Sequence, residues 1–548
     1  MKDYDYIVVV AGSAGCVMAA RLAEDPAVRV LVVEAGGRDS SPLVKVPLGV
    51  AKVWNGPWFN WSYQSEAEPH ADGRSIFHPR GKVVGGSSSI NMMAYVRGHR
   101  ADYDRWQETH SLEGWSFAHV LPYFKRAEAF EDGESEWRGG HGPLLVTRGR
   151  AEDVVYDAFL GSAGHAGYAE NSDYNGAEQW GFARVQFTAR AGRRCSAAVA
   201  YLHPAVRRGN VDVLINAHTT RILMEGSRAV GIEYRAGGRR QTVRAAREVI
   251  VACGAINSPQ LLMLSGIGPA DHLRAHGIEP VVGLDAVGDN LQDHAAVRVG
   301  FLRKLPSRIQ QELRLDRLSL SMARAYCFGS GFAAEPPGGV TAFIRSTARE
   351  AIPDLQLFCV NASLFAREWF PGIRAPGPDG FAMRACSLRP ESRGTIRLKS
   401  GDPAAPPAIL TNMLSTDYDR RALREAIRHL RHIASSKAFD GLIAAETAPG
   451  PDVKSDADID AYVRRTVDTV YHPIGTCRIG PDPATVVDME FRVRGTQGLR
   501  VVDASVMPDL VGGNINAAVI MVAEKASDVI RGKAALAPAV SSTMEAAA

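Results

Sequence analysis

The chain has little of what marks several large protein classes. Seven cysteines stand among 548 residues, at Cys16, Cys195, Cys253, Cys327, Cys359, Cys386 and Cys477. The number is odd and no Cys-x-x-Cys pair occurs, which argues against a disulfide scaffold and a zinc frame and predicts mostly buried thiols. No apolar run approaches the roughly 18 residues of a membrane span. Lys and Arg number 63 against 60 Asp and Glu, a formal net charge of +3 without basic blocks, so nothing points to nucleic acid or an anionic membrane as partner. The opening Met1-Lys2-Asp3-Tyr4-Asp5 runs straight into an apolar strand, lacking the apolar region and cleavage site of a secretory signal. These absences predict a soluble cytoplasmic protein without a membrane span.

What is present is enough for a large core. At 46% hydrophobic residues and 548 positions, the chain exceeds one compact core and predicts two domains, or one domain with a lobe. Its first ordered signal is strand, glycine turn, helix, strand. Tyr6 to Val10 reads as a buried parallel strand, Gly12-Ser13-Ala14-Gly15 as the turn, Cys16 to Glu24 as an amphipathic helix, and Val28 to Val33 as a strand ending at Glu34. This βαβ pattern puts a pyrophosphate on a helix N-terminus and a carboxylate on the adenosine ribose, and Glu34 favours a dinucleotide without a 2′-phosphate. Val10 breaks the pattern. The G-x-G-x-x-G fingerprint has glycine there for the tight turn, and a β-branched residue resists unusual backbone angles, so the turn is expected to shift or to hold the dinucleotide less tightly.

A second landmark runs from Arg80 through Gly85-Gly86-Ser87-Ser88-Ser89-Ile90-Asn91 to Gly98. Paired glycines before three serines offer backbone N–H groups and hydroxyls that can wrap a phosphate, and Asn91 carries donor and acceptor toward a ring edge. A Gly/Ser-rich surface loop is the competing reading.

From Val84 to Gly98 the chain resembles the first signature of the glucose-methanol-choline (GMC) oxidoreductases, and Gly254 to Gly268 resembles their second. Val287-Gly288-Asp289-Asn290-Leu291-Gln292-Asp293-His294, Pro390 to Gly394, Tyr471-His472-Pro473-Ile474-Gly475-Thr476 and Leu499 to Ser505 extend the likeness over nearly the whole chain. It implies an α/β fold, α+β overall: a Rossmann-like FAD-binding domain from 1–150, 190–298 and 467–535, a substrate-binding domain on an antiparallel sheet from 151–189 and 299–466, and a flexible tail at 536–548. It also implies FAD as cofactor, held by Gly12, Ser13, Ala14 and Gly15 at the pyrophosphate and by Glu34 at the ribose. Gly86, Ser87 and Asn91 would line the flavin side. Thr219 or, by preference, Thr220 would sit near the adenine, and Asp503 and Ala504 at the ribityl chain.

The chemistry implied is oxidation of a small alcohol, primary and aryl or heteroaryl among the options, to its aldehyde by hydride transfer to flavin N5, with oxygen or another acceptor taking the electrons. Such a reaction needs a base for the hydroxyl proton, and histidine suits it because its ordinary pKa lies near ~6.5. Among 15 histidines, His472 resembles the family's active-site residue. The second catalytic position falls on Asn514, with Asn516 as rival; an amide cannot be the base but can hold the substrate oxygen. His294, His203, His141 and Cys477 read as structural. Phe365, Trp369 and Phe370 fit an aromatic pocket wall and core packing equally well, and the Pro/Gly-rich stretches 334–339 and 372–380 predict loops. Two other functions remain open at this point: a non-redox lyase on the same scaffold, and a flavin-binding protein impaired at Val10.

Overall fold

A computed structural model describes residues 4–540. In chain order the strands of its two large sheets are β1 (Tyr4–Val9), β2 (Val30–Val33), β3 (Gly181–Arg184), β4 (Val211–Leu214), β5 (Ala217–Glu225), β6 (Arg228–Ala236), β7 (Arg239–Val251), β8 (Ala295–Arg303), β9 (Val340–Ile344), β10 (Leu355–Val360), β11 (Gly380–Ser387), β12 (Ile443–Ala448), β13 (Asp468–Thr469) and β14 (Leu499–Val501). The helices that matter for the site are α1 (Ser13–Leu22), α2 (Gly254–Leu264), α3 (Asp417–Ala434) and α4 (Asn516–Ile530).

The first sheet has the order β4-β2-β1-β7-β6-β5, with β14 also paired to β7. Its centre is parallel: Val8 pairs with Val32 on β2 and Ile250 on β7, and Val251 with Val501 on β14. Strands covered on both faces read as continuous apolar runs, and Val-Leu-Val-Val in β2 is buried throughout. The long β7 changes partner along its length. Its polar first half runs antiparallel to β6, and its apolar end, Val249 to Val251, enters the parallel core.

The second sheet, β12-β8-β11-β10-β9-β3, is antiparallel, with β13 added to β8. α3 covers it with one apolar stripe of Ala422, Leu423, Ala426, Ile427, Leu430 and Ile433, the spacing of a helix with one buried face. Thr416 caps its start by accepting from the Asp419 N–H at 3.2 Å, which satisfies one of the donors a helix end leaves free. Besides β3, the antiparallel sheet draws its strands from Ala295–Arg303 onward and takes in 468–469.

Two local expectations change. The first helix spans Ser13–Leu22 instead of Cys16 to Glu24, and it is buried nearly all round instead of amphipathic. α4 covers its outer side, with Arg21 gripping Glu524 at 2.8 Å and Ser13 Oγ donating to Asn516 Oδ1 at 2.7 Å. Of the tail, the Leu536 N–H donates to Tyr123 Oη at 3.1 Å and the Ala539 N–H to the Ala118 carbonyl at 2.8 Å; residues 541–548 lie outside the described part.

Candidate active site

One large cavity runs from the glycine turn to residues 470–473, directly after β13. It takes in about 1620 Å³ of non-atom space, solvent at its mouth included. At one end lie Val33, Ala35, Trp61 and Ala217 to Thr219; at the other, Trp54, Arg80, Tyr471, His472 and Asn514.

The turn that leaves β1 is built on a strained residue. Val10 has φ of +79°, in the left-handed region, where a β-branched side chain is a true outlier. Its side chain lines the cavity. Glu34, 1% exposed, ties the turn to β2: Oε2 accepts from the Ala11 N–H at 3.0 Å and Oε1 from the Gly36 N–H at 2.8 Å. Burial pushes its pKa up to about 7 against those two donors. Val33 and Ala35 on either side of it, and not Glu34 itself, line the cavity.

α1 starts directly at the wall. Gly12 offers no side-chain cap and the first turn holds no acid, so the free N–H groups of a helix start and its positive dipole end face the space beside Ser13 and Ala14. Gly15 sits one layer behind, where an added Cβ would lie 2.0 Å from the Val10 carbonyl oxygen. Gly86, at φ +53°, stands against Gly12 so closely that a Cβ would meet the Gly12 Cα at 2.7 Å. These features form a cradle for a pyrophosphate, and FAD fits the residues present.

Ser87, Asn91, Asp503 and Ala504 also line the cavity. Asn91 Oδ1 accepts from Arg194 at 2.8 Å. Asp503 accepts from the Gly254 N–H at 2.9 Å, Ser258 Oγ at 2.5 Å and the Ser505 N–H at 2.7 Å, which anchors the start of α2. Thr220 needs correction. Its hydroxyl donates to Glu233 Oε1 at 2.6 Å and it is absent from the wall, whereas Thr219 lines the wall with its buried hydroxyl unpartnered. A register shift between Thr219 and Arg221 in β5 turns the side chains so, and a bulge of that kind is invisible in the strand's sequence pattern.

The other end is organised by Asp293. Its Oδ1 accepts from the His472 N–H at 2.8 Å, and its Oδ2 accepts from Thr469 Oγ1, which in turn accepts from the Tyr471 N–H at 2.6 Å. Arg80 donates to the Tyr471 carbonyl at 2.7 Å. Tyr471 itself has φ of +69°, so three side chains hold the bend that presents His472. Burial raises the Asp293 pKa to about 6, opposed by its hydrogen bonds and by Arg80.

His472 is 8% exposed. Its Nε2 lies 3.2 Å from Asn514 Nδ2 and its Nδ1 lies 2.9 Å from Nδ1 of His294. Burial, with His294 and Arg80 adding to it, pulls its pKa well below the ordinary histidine value, so the ring is neutral and able to take a proton. Asn514 is thus the amide at the histidine; Asn516 is engaged with Ser13 at the start of α4.

Two sequence readings are decided here. His294, read as structural and out of reach, is in direct contact with His472. The signal available was its place directly after Asp293 and before the apolar β8, a pair of ionisable groups entering a core strand. The aromatic wall comes from Trp54, Trp61 and Tyr471, with the Trp54 and Tyr471 rings 4.7 Å apart at 78°. Phe365 is 58% exposed, Trp369 donates to the Gln310 carbonyl at 2.7 Å, and neither they nor Phe370 reach the cavity.

Comparison with known proteins follows the same lines. Family models described as GMC oxidoreductase match residues 4–296 and 390–523. An oxygen-dependent choline dehydrogenase of Brucella canis is 43% identical over 537 residues, covering 98% of this chain and 97% of its own, and one of Sinorhizobium fredii is 43% identical over 535 residues, covering 97% and 96%. Among solved structures, pyridoxine 4-oxidase from Mesorbium loti superposes with a TM-score of 0.87 at 29% identity, covering 97% of this chain and all of that one. A formate oxidase of Aspergillus oryzae gives 0.88 at 26% identity, covering 97% and 98%.

Proposed function

The chain belongs to the GMC oxidoreductase family, and from that premise we propose that it oxidises a small, neutral primary alcohol to the aldehyde with His472 as base. The observation that carries this reading is the neutral, buried imidazole of His472, its Nε2 turned to Asn514 and the cavity.

The family's cofactor is FAD, which when bound supplies the two-electron acceptor. Gly12, Ser13 and Ala14 would hold its pyrophosphate, with Gly86, Ser87, Asn91, Asp503 and Ala504 along the rest of the cavity. Glu34 braces the turn from behind, and its carboxylate keeps acceptor capacity for a ribose hydroxyl after its two backbone bonds. His472 takes the substrate's hydroxyl proton at Nε2. The Asn514 amide N–H donates to the substrate oxygen and fixes the carbinol carbon in place. Burial of His472 keeps competing water from the proton transfer.

The relatives' names support a terminal alcohol. The charge of the wall supports a neutral one. Among the described lining residues Asp503 is the sole carboxylate, and its oxygens already serve Gly254, Ser258 and Ser505. Arg80 is the sole Lys or Arg there and lies at the His472 end. A quaternary ammonium group would meet a cation and no free counter-charge, although Trp54 and Tyr471 offer ring faces.

The test is an anaerobic absorbance titration of the yellow holoprotein with choline, a benzylic alcohol, a pyridyl carbinol and a short aliphatic alcohol. Bleaching of the flavin band by one of the neutral alcohols and not by choline is the expected result. Bleaching by choline alone overturns the neutral-substrate reading, and no bleaching by any alcohol overturns the oxidation itself. Readmitting air then separates an oxidase from a dehydrogenase. For Asn514→Ala we expect kcat/KM to fall about two- to tenfold, the size of one net hydrogen bond, at unchanged FAD content; an unaltered kcat/KM would remove Asn514 from substrate binding.

A further inference from the structure

The hydrogen bonds around His472 form a chain whose direction is dictated at both ends. At one end His294 Nε2 lies 3.2 Å from the Leu388 carbonyl oxygen. A carbonyl only accepts, so His294 carries its proton on Nε2. At the other end the Asn514 amide nitrogen, 3.2 Å from His472 Nε2, only donates. Between them the two rings meet Nδ1 to Nδ1 at 2.9 Å, where one nitrogen must bear the proton and the other the lone pair.

His294 is completely buried, and burial pulls its pKa down to about 3, so it is neutral with one N–H, already committed to Leu388. Its Nδ1 is therefore the acceptor. A His472 proton on Nε2 instead would set lone pair against lone pair between the rings and N–H against N–H at Asn514.

We infer that His294 is a positioning residue: anchored through Nε2 to the Leu388 carbonyl, it accepts the Nδ1 proton of His472 and so holds the His472 lone pair at Nε2, facing Asn514 and the cavity. The inference rests on the reading of His472 as base. When that base acts, the substrate O–H bond breaks, an Nε2–H bond forms, the electron pair stays on oxygen, and the imidazolium keeps donating from Nδ1 to His294. The rule that a histidine's reactive nitrogen is set by the bond its other nitrogen makes thus applies with a second histidine in the orienting role.

The decisive experiment reads the tautomer without any substrate. In the FAD-loaded protein labelled with 15N-histidine, with the His472 signals assigned by their loss in His472→Gln, long-range proton–nitrogen spectra are expected to show His472 protonated at Nδ1 and bare at Nε2. A proton on Nε2 overturns the inference, whatever the alcohol titration gives. In parallel, His294→Gln keeps an acceptor for His472 and a donor for Leu388, whereas His294→Leu keeps neither. The anaerobic reduction rate should stay within about threefold of the parent in the glutamine variant and fall about tenfold in the leucine variant, at equal FAD content. Equal rates in both also overturn it. Should the leucine variant not fold, the spectrum of the unsubstituted protein decides.

Discussion

Replacing His472 by alanine is expected to slow anaerobic bleaching of the flavin band by about 10²–10⁴-fold, the range of a lost general base. The expectation follows from the neighbours of the ring. Asn514 cannot accept a proton, Arg80 is cationic, and His294 is directed at Leu388 and at the space the imidazole leaves, on the far side from the cavity. No remaining group facing the substrate oxygen is basic near neutral pH, so the residual rate should climb with pH as hydroxide takes over. Removal of the ring also leaves His294 Nδ1 without its donor, a buried polar loss of about 1–3 kcal/mol. FAD content and thermal midpoint should therefore be measured beside the rate. Bleaching at the parent rate in a folded, yellow variant would take His472 out of the chemistry.

The second large effect concerns Val10. Substitution by glycine should tighten FAD binding by about 10–10²-fold, equivalent to roughly 1.4–2.7 kcal/mol. A left-handed conformation costs an ordinary L-residue about 1–2 kcal/mol, and a β-branched one has the least freedom to relieve it. Glycine adopts φ near +79° without that penalty but gives back about 0.5–1 kcal/mol in chain entropy. The protein without cofactor should gain only about 1 kcal/mol, close to 1 °C in Tm for a chain of this length. The larger share lies in the cavity. The valine methyl groups stand on its wall, with Cγ1 3.8 Å from where a Cβ on Gly12 would sit, beside the free N–H groups that a pyrophosphate must approach closely. Fluorescence titration of the apoprotein with FAD, Val10 against Val10→Gly, measures this directly. Equal dissociation constants would mean that the turn takes valine at no cost to the cofactor.

Much of the dinucleotide half was legible in the chain. The apolar runs of β1 and β2, the turn between them and the acid after β2 lie within about 30 residues, and each signal acts at short range. Even the anomaly was legible, since Val10 stands in a glycine position and takes up a glycine's backbone angles. His472 and Asn514 were found by resemblance of short phrases; no periodicity or spacing would have singled them out among 15 histidines and several amides.

What failed has a common cause. His294 meets His472 across 178 residues, Trp54 meets Tyr471 from the far end of the chain, and the aromatic residues at 365–370 lie off the cavity wall, with Trp369 bonded to the residue 310 carbonyl. Thr219 and Thr220 exchange places at a local shift in strand register.

The sequence by itself determined the family, the cofactor class and the βαβ frame, and it named the candidates for a base and an amide partner, because turn chemistry, strand patterning and motif phrases are carried by residues close together. Only the tertiary structure decided which amide stands at the histidine, which threonine faces the cavity, where the aromatic wall comes from and on which nitrogen His472 keeps its lone pair. Those are matters of hydrogen-bond direction and side-chain facing between segments hundreds of residues apart, and such directions exist only once the segments are packed together.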